Sequence, residues 1–588
     1  MKKIFISLMC LIAIIFSMPI FVSAATNEGV LTLPEDDGTG YPVTGVNNRQ
    51  YSGEDDIYKV IVPNNIVRLG EEVFRNCSNL SEIQLNPYIQ MIGEDAFAGT
   101  AYYEDLNKWE SGVLYIGDCL IKADPEVIGE KYEIRNGTRL IADGAFKDCG
   151  NLSTIIIPET IEYVGTNAFV GTAFFNNSLI NWSNNSLILD YLLISVDDKC
   201  TGTFVIPYGI KTIADGAFSH SNVTEVTISN SVKHVGYNAF GDCQKLVKVS
   251  LGAKVETLGR RPFKSCTELS LIEVDTQNEH FTVVDGVLYN KELSHVVRCP
   301  QKTTGKVILP KSIKNINAYA FEDCAKLQNV EIPKGCVFIG NSAFSVCENL
   351  SDLVIPESME YIDQYAFSYC NNIKSVVIPD SVYHLGSYAF YCCMNLKEIA
   401  LGNGITDLTN GLFESCERLN FVSLGDSVTE ISYSSFQDTK YISNMVNYKN
   451  GLLIASDKYL IKVADDVAEC NIPYGITLIA EGAFEFLSEK GNLRIINIPH
   501  SLQSVCWDVF YDVPDNVSVH YDGTLYEFAH ITDFDWNFIN LYTTDFHLII
   551  WTVVILVGFL IAFVISLLVY NRIHKKKQMK KENSYGHQ

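Results

Sequence analysis

Between Leu350 and Asn372 the apolar positions are Leu350, Leu353, Ile355, Met359, Ile362, Ala366, Phe367 and Cys370, with mostly polar residues between them. The same set returns one period later as Ile373, Val376, Ile378, Val382, Leu385, Ala389, Phe390 and Cys393. Aligned on the Phe of an A-F-x-x-C piece, Phe321, Phe344, Phe367, Phe390, Phe413 and Phe436 stand 23 residues apart. Phe74 to Phe97, Phe146 to Phe169 and Phe240 to Phe263 repeat that interval of 23, and Phe218 to Phe240 is 22. A fixed period of this length marks stacked structural repeats rather than a row of independent domains.

Each repeat carries two local signals. The alternating trio Leu353, Val354, Ile355 predicts a minimal strand with Val354 outward, ended by Pro356, which cannot donate to a ladder. Ala366, Phe367 and Cys370, at spacings of one and three, predict a single helical turn. No unit of this size can hide eight apolar residues by itself. Stacked units form one shared core, each large side chain contributing on the order of 1.5–3 kcal/mol.

The unit L-x-x-[IVL]-x-[IL]-P-x-x-[IV]-x-x-[IL]-x-x-x-A-F-x-x-C resembles that of the BspA-like leucine-rich-repeat family of bacterial and protist surface proteins, over roughly Ile57 to Ile531. The segment HYDGTLYEFAHI, His520–Ile531, is similar to that family's C-terminal cap. The expected fold is therefore an α/β-type repeat solenoid. It is a right-handed leucine-rich-repeat coil with a parallel β-sheet on one face and short helical turns opposite. The resemblance implies an extracellular adhesive or ligand-binding role.

The longer intervals are also regular. Phe97 to Phe146 and Phe169 to Phe218 are 49 residues, and Phe436 to Phe484 is 48. At the head of each, the Cys position holds Thr100, Thr172 or Thr439, which marks the start of an insertion. Gly112–Ala123, Ser186–Val196 and Gly451–Val463 read as β-hairpins, as does Asp285–Val297 in the 58-residue gap before Phe321. They either extend the core edge-on or project toward a ligand.

The two ends differ from the middle. Met1–Ala24 has Lys2 and Lys3, a short apolar run and Val22-Ser23-Ala24, the order of a secretory signal peptide cleaved after Ala24 or Ala25. Leu548–Tyr570 has no charge and, as a helix, would span about 34 Å, enough to cross a bilayer core. Arg572, Lys575, Lys576, Lys577, Lys580 and Lys581 follow it, which places the tail in the cytoplasm. The expected layout is a signal peptide 1–24, an N-terminal cap 25–56 and a solenoid with its cap 57–531. A juxtamembrane linker 532–547, a transmembrane helix 548–570 and a basic tail 571–588 complete it. The expected location is the plasma membrane, single-pass, with the N-terminal portion outside.

Without signal peptide and tail the chain keeps 36 Lys and Arg against 68 Asp and Glu, a net charge of −32. That surface repels nucleic acid and anionic lipid head groups. Of the 17 cysteines, nine fall three residues after the ladder Phe, as Cys370 and Cys393 do, and read as small buried hydrophobes. Cys119, Cys200, Cys299, Cys336, Cys392, Cys470 and Cys506 leave room for a bridge. Asn79-Leu-Ser, Asn151-Leu-Ser and Asn349-Leu-Ser spell glycosylation sequons, which the repeat itself generates.

The sequence holds no C-x-x-C, H-E-x-x-H, G-x-S-x-G or G-x-x-x-x-G-K-[ST], and Asp533-x-Asp535-x-Asn537 lacks the glycine of a calcium loop. Neither an enzyme nor a cofactor or metal site is expected.

On a solenoid, ligands meet the sheet face, where the central outward residue of each strand stacks with its neighbours. Those residues are Gln84, Ile156, Val205, Thr227, Ser250, Glu331, Val354, Val377, Ala400, Ser423 and Asn471, with one charge among them. A low-charge strip on an acidic protein suits an extracellular protein, matrix or cell-surface ligand. The expected function is a membrane-anchored surface protein binding a macromolecule. A spacer element of the cell envelope without a specific ligand is the alternative.

Overall fold

The computed structural model describes residues 29–34, 44–177, 181–485, 492–506, 509–510, 513, 517–531 and 540–542. The predicted signal peptide, membrane span and basic tail lie outside the described residues. No helix among those described is long and apolar enough to cross a membrane. The chain divides into two compact units: Met1–Cys266 with Val274–His280, and Thr267–Glu273 with Phe281–Gln588.

The repeat coils as expected, with one addition: most coils feed two parallel ladders. In the second unit, strand Ser375–Ile378 buries Val376 and Ile378 and exposes Ser375 and Val377. It pairs in parallel register with Glu398–Leu401, which pairs in turn with Phe421–Ser423. After the Pro379 turn comes a two-residue strand, His384–Leu385. Its buried Leu385 continues the column Ile316, Ile339, Ile362. The first unit repeats this arrangement. Leu31, Val60 and Ile83 stack in one ladder, and Val46, Leu69 and Ile92 in the other.

The expected helical turn at A-F-x-x-C does not form. The residues two before and two after the Phe adopt left-handed backbone, φ 61° at Tyr388 and 56° at Cys392. This turns alternate N–H groups toward the next coil. Tyr388, Phe390 and Cys392 donate to the carbonyls of Asn410, Leu412 and Glu414 at 3.0, 3.0 and 2.9 Å. An isolated helical turn fixes several dihedrals for one hydrogen bond, whereas the neighbouring coil offers three acceptors in register. A second departure is local: Leu353–Ile355 forms no strand, and that coil joins its predecessor only by the bridge between Asn329 and Asp352.

The buried side chains form continuous columns. In the second unit Phe321, Phe344, Phe367, Phe390, Phe413 and Phe436 stack ring on ring at 4.8, 5.2, 5.3, 5.8 and 5.7 Å. Beside them runs the thiol column. Cys347, Cys370, Cys393 and Cys416 each donate from Sγ to the carbonyl of a Phe one coil back, at 3.1–3.2 Å. All sixteen cysteines from Cys77 to Cys506 are buried and free, so the small-hydrophobe reading holds for the off-ladder ones too. The N-L-S asparagines serve the stack as well, Asn79 and Asn349 donating to the preceding coil's carbonyls of Asp55 and Ala325 at 2.6 and 2.7 Å.

Where Thr replaces Cys, the hydrogen bonding changes hands. Thr100, Thr172 and Thr439 donate to their own Phe carbonyls at 2.8, 2.7 and 2.6 Å. Each then caps a four-residue helix, Ala101–Glu104, Ala173–Asn176 or Lys440–Ser443. That helix leads the chain out of the coil and into the insertion.

Four hairpins follow as the alternation predicted, at Val113–Ile116/Cys119–Ala123, Ser186–Leu189/Leu192–Val196, Val287–Asn290/His295–Arg298 and Leu452–Ala455/Tyr459–Val463. Each gains a further short antiparallel strand, such as Trp109–Glu110. Each also joins the second ladder through its last strand, pairing Leu120 with Ile141, Leu193 with Ile213, Val296 with Ile316 and Leu460 with Ile479. Val113, Leu114, Ile116 and Leu120 are buried, so the hairpins extend the core edge-on. At the C-terminal side helix Leu525–Ile531 follows strand Ser518–Tyr521. Within the stretch read as a linker, Asn540–Tyr542 forms a strand parallel to Ser518–His520.

Candidate functional site

The outward side of the first ladder collects most of the residues that the repeat singled out. In the first unit Val205, Thr227 and Ser250 stand in register on three adjacent strands. Gln84 stands beside Ile61, and Ile156 beside Glu133. In the second unit Val377, Ala400 and Ser423 form one column, Ile308 and Glu331 another, and Asn471, Asn497 and His520 a third. Val354 is 73% exposed but belongs to no strand, because its coil makes only the single bridge at Asp352. Two groups of three are thus assembled, 205/227/250 and 377/400/423. Gln84, Ile156, Glu331, Val354 and Asn471 stand apart from the other predicted residues.

The low-charge strip is one column wide. Two residues toward the N-terminus, the same strands present a second outward column that is largely charged. Lys59 faces Glu82 at 3.0 Å, Glu225 pairs in register with Lys248, and Glu398 lies between Ser375 and Phe421. The strip's own charge, Glu331, is held by Lys306 of the neighbouring strand at 2.7 Å. Three apolar side chains also stay exposed on this face: Val205 is 62% exposed, Val377 68% and Phe421 65%. Phe421 escaped the reading because only the central residue of each strand was taken as outward, although period-2 alternation turns it to the same side as Ser423.

A cavity of about 80 Å³ in the first unit gathers Arg68, Tyr163, Asp215, Tyr237, Thr257 and Arg260, residues that five separate coils supply. Asp215 Oδ1 accepts the Tyr237 N–H at 2.6 Å, and Asp143 Oδ1 accepts the Thr166 N–H at 2.8 Å. Burial drives both carboxyls up, reinforced at Asp215 by Asp143 and at Asp143 by Glu94 and Glu71. Asp143 reaches about 7. Their shared setting is the I-A-D-G-A-F piece that follows an insertion, at Ile141–Phe146 and Ile213–Phe218. Among the described residues no group of three or more His, Cys, Asp or Glu is placed to hold a metal ion. Asp533, Asp535 and Asn537 lie outside the described residues.

The family model for the BspA type leucine-rich repeat region matches residues 44–176, 128–191, 197–305, 299–420 and 406–530. The chain belongs to the BspA-type leucine-rich repeat family. Solved structures to which the chain is similar include a leucine-rich cell surface protein from Faecalibacterium prausnitzii A2-165. It is 23% identical over 68% of this chain and 88% of its own, with a TM-score of 0.37. A leucine-rich repeat protein from Eubacterium ventriosum ATCC 27560 is 19% identical over 78% and 91%, TM-score 0.35. One from Bacteroides ovatus ATCC 8483 is 19% identical over 88% and 93%, TM-score 0.31. No curated protein sequence matches the chain.

Proposed function

We propose that this BspA-type chain is a single-pass plasma-membrane protein that binds a protein or other macromolecular ligand outside the cell, as in adhesion, without catalysis. The observation that carries the binding role is the outward face of the first ladder. Val377 stands in register with Ala400 and Ser423 and, with Phe421 nearby, stays two-thirds exposed. Apolar side chains that contribute nothing to the core, held in fixed register on an acidic protein, supply area that a partner can desolvate. The anchor is the uncharged run Leu548–Tyr570 with its basic flank; five residues separate that run from the strand Asn540–Tyr542.

The test uses the full-length protein in detergent micelles against a panel of purified matrix and serum proteins. Saturable binding that falls at least tenfold in the Val354→Asp/Val377→Asp double variant, with an unchanged melting temperature, supports the ligand-binding reading. Absence of any saturable partner, or binding indifferent to both substitutions, leaves the spacer role.

A further inference from the structure

A second surface of the second unit stands out for a different reason. Tyr365, Tyr369 and Tyr388 occupy left-handed backbone at φ 56°, 59° and 61°. They sit two residues before or after the ladder Phe, where other coils place Asn76, Asp148, Asn167, Gly171, Gly216 or Asn238. Asn, Asp and Gly accept that conformation readily, whereas a Cβ bearing an aromatic ring is strained there. The rings do not repay the strain by packing inward. None of the three, nor Tyr391, belongs to the buried core of the unit, and Tyr365 and Tyr369 are 38% and 43% exposed.

The four rings form an angular patch. Tyr365 lies flat on Tyr388 at 5.0 Å and 5°. Tyr391 stands at 87° to Tyr369 and 84° to Tyr388, with centroids 5.4 and 5.7 Å away. The stack ends at Gly411, where a Cβ would fall 2.1 Å from Tyr388 Cε1, so the glycine is what gives that ring its place. The Glu414 carboxylate acts on Tyr365 from this next coil, and burial with Asp438 nearby lifts its own titration upward. Ring faces carry the negative side of the aromatic quadrupole, so perpendicular tyrosines beside a carboxylate make a place for a cation.

We propose that Tyr365, Tyr369, Tyr388 and Tyr391 form a docking patch for an arginine- or lysine-bearing segment of a polypeptide partner. The net charge of −32 outside the signal and tail segments steers such a segment in, and the rings select its side chains. The patch is separate from the sheet face and does not depend on it.

The test measures fluorescein-labelled hexa-arginine binding to the full-length protein in detergent at physiological salt. In the triple variant Tyr365→Asn/Tyr369→Asn/Tyr388→Asn the expected loss of affinity is at least tenfold. Its melting temperature should rise by roughly 1 °C or more, because Asn relieves the backbone. The matching Tyr→Phe triple variant should bind within threefold of wild type, and Tyr208→Asn, in the other unit, should change nothing. Failure of wild type to bind hexa-arginine, or binding by the Asn variant within threefold of wild type, overturns the proposal. So does a fall in its melting temperature, which would show that the rings serve packing.

Discussion

Replacing Asp143 by Asn should stabilise the first unit above neutral pH. The Asp143 carboxyl holds its proton up to about pH 7 in the fold, from an ordinary value of 3.8. The unfolded chain therefore releases that proton from about pH 4 upward while the folded chain still keeps it. Over that window the native state binds more protons, so stability falls as pH rises and levels off above pH 7. A difference of roughly three pH units corresponds to about 4 kcal/mol at pH 8, at 1.4 kcal/mol per unit. Asn cannot ionise, and its Oδ1 can still accept the Thr166 N–H that Asp143 now takes at 2.8 Å. For a unit of this size the gain amounts to some 8–16 °C in Tm, less whatever relaxation the wild-type site allows. Calorimetric melts of wild type and Asp143→Asn at pH 4, 6 and 8 read it directly: the gap should be under 1 kcal/mol at pH 4 and widen toward pH 8. A gap that does not change with pH, or an Asn variant that melts lower at pH 8, refutes the account. Because Asp215 lies in the same field, Asp215→Asn should show the same sign, and the double variant should gain less than the two single gains together.

Phe367→Ala removes a fully buried ring stacked on both sides, at 5.2 and 5.3 Å, and should cost about 3–5 kcal/mol, read as a lower denaturant midpoint for the second unit. Thr172→Val deletes the hydroxyl that caps Ala173–Asn176 and should cost about 1 kcal/mol, while Thr172→Ser costs less than half of that. The buried cysteines should resist a water-soluble maleimide in the native protein and react on unfolding, as counted by mass spectrometry; rapid native labelling of Cys370 would contradict its burial.

The period, the hairpins and most of the strand-forming trios were legible because each repeats an apolar pattern long enough to count, although the trio Leu353–Ile355 forms no strand. The second ladder was not: strands such as His384–Leu385 contain two residues, too few for any alternation to register. The helical turn misled because Ala, Phe and Cys at spacings of one and three suit a helix, and also suit a turn that points the same three side chains inward. What separates the two is the backbone on either side of the Phe. Its left-handed positions are filled by Asn, Asp, Gly, Ser and Tyr alike, so no single residue type announces them. The outward strip was half legible. Val377, Ala400 and Ser423 were named correctly as neighbours, but the charged column beside them and Phe421 needed the full strand width. The Asp143 and Asp215 pair gave no sequence signal beyond a recurring I-A-D-G-A-F, because its burial comes from coils far apart in the chain.

The exchange of Cys for Thr at one position has a consequence for how such a protein can change length. A thiol there reaches back and ties its coil to the one behind. A threonine turns the same bond upon its own coil and lets the chain leave. Growth can then proceed in whole coils at the first kind of position and by side excursions at the second, with neither disturbing the frame of the rest. At three of the four insertions the molecule carries its own punctuation, in one side chain; the fourth follows Cys266.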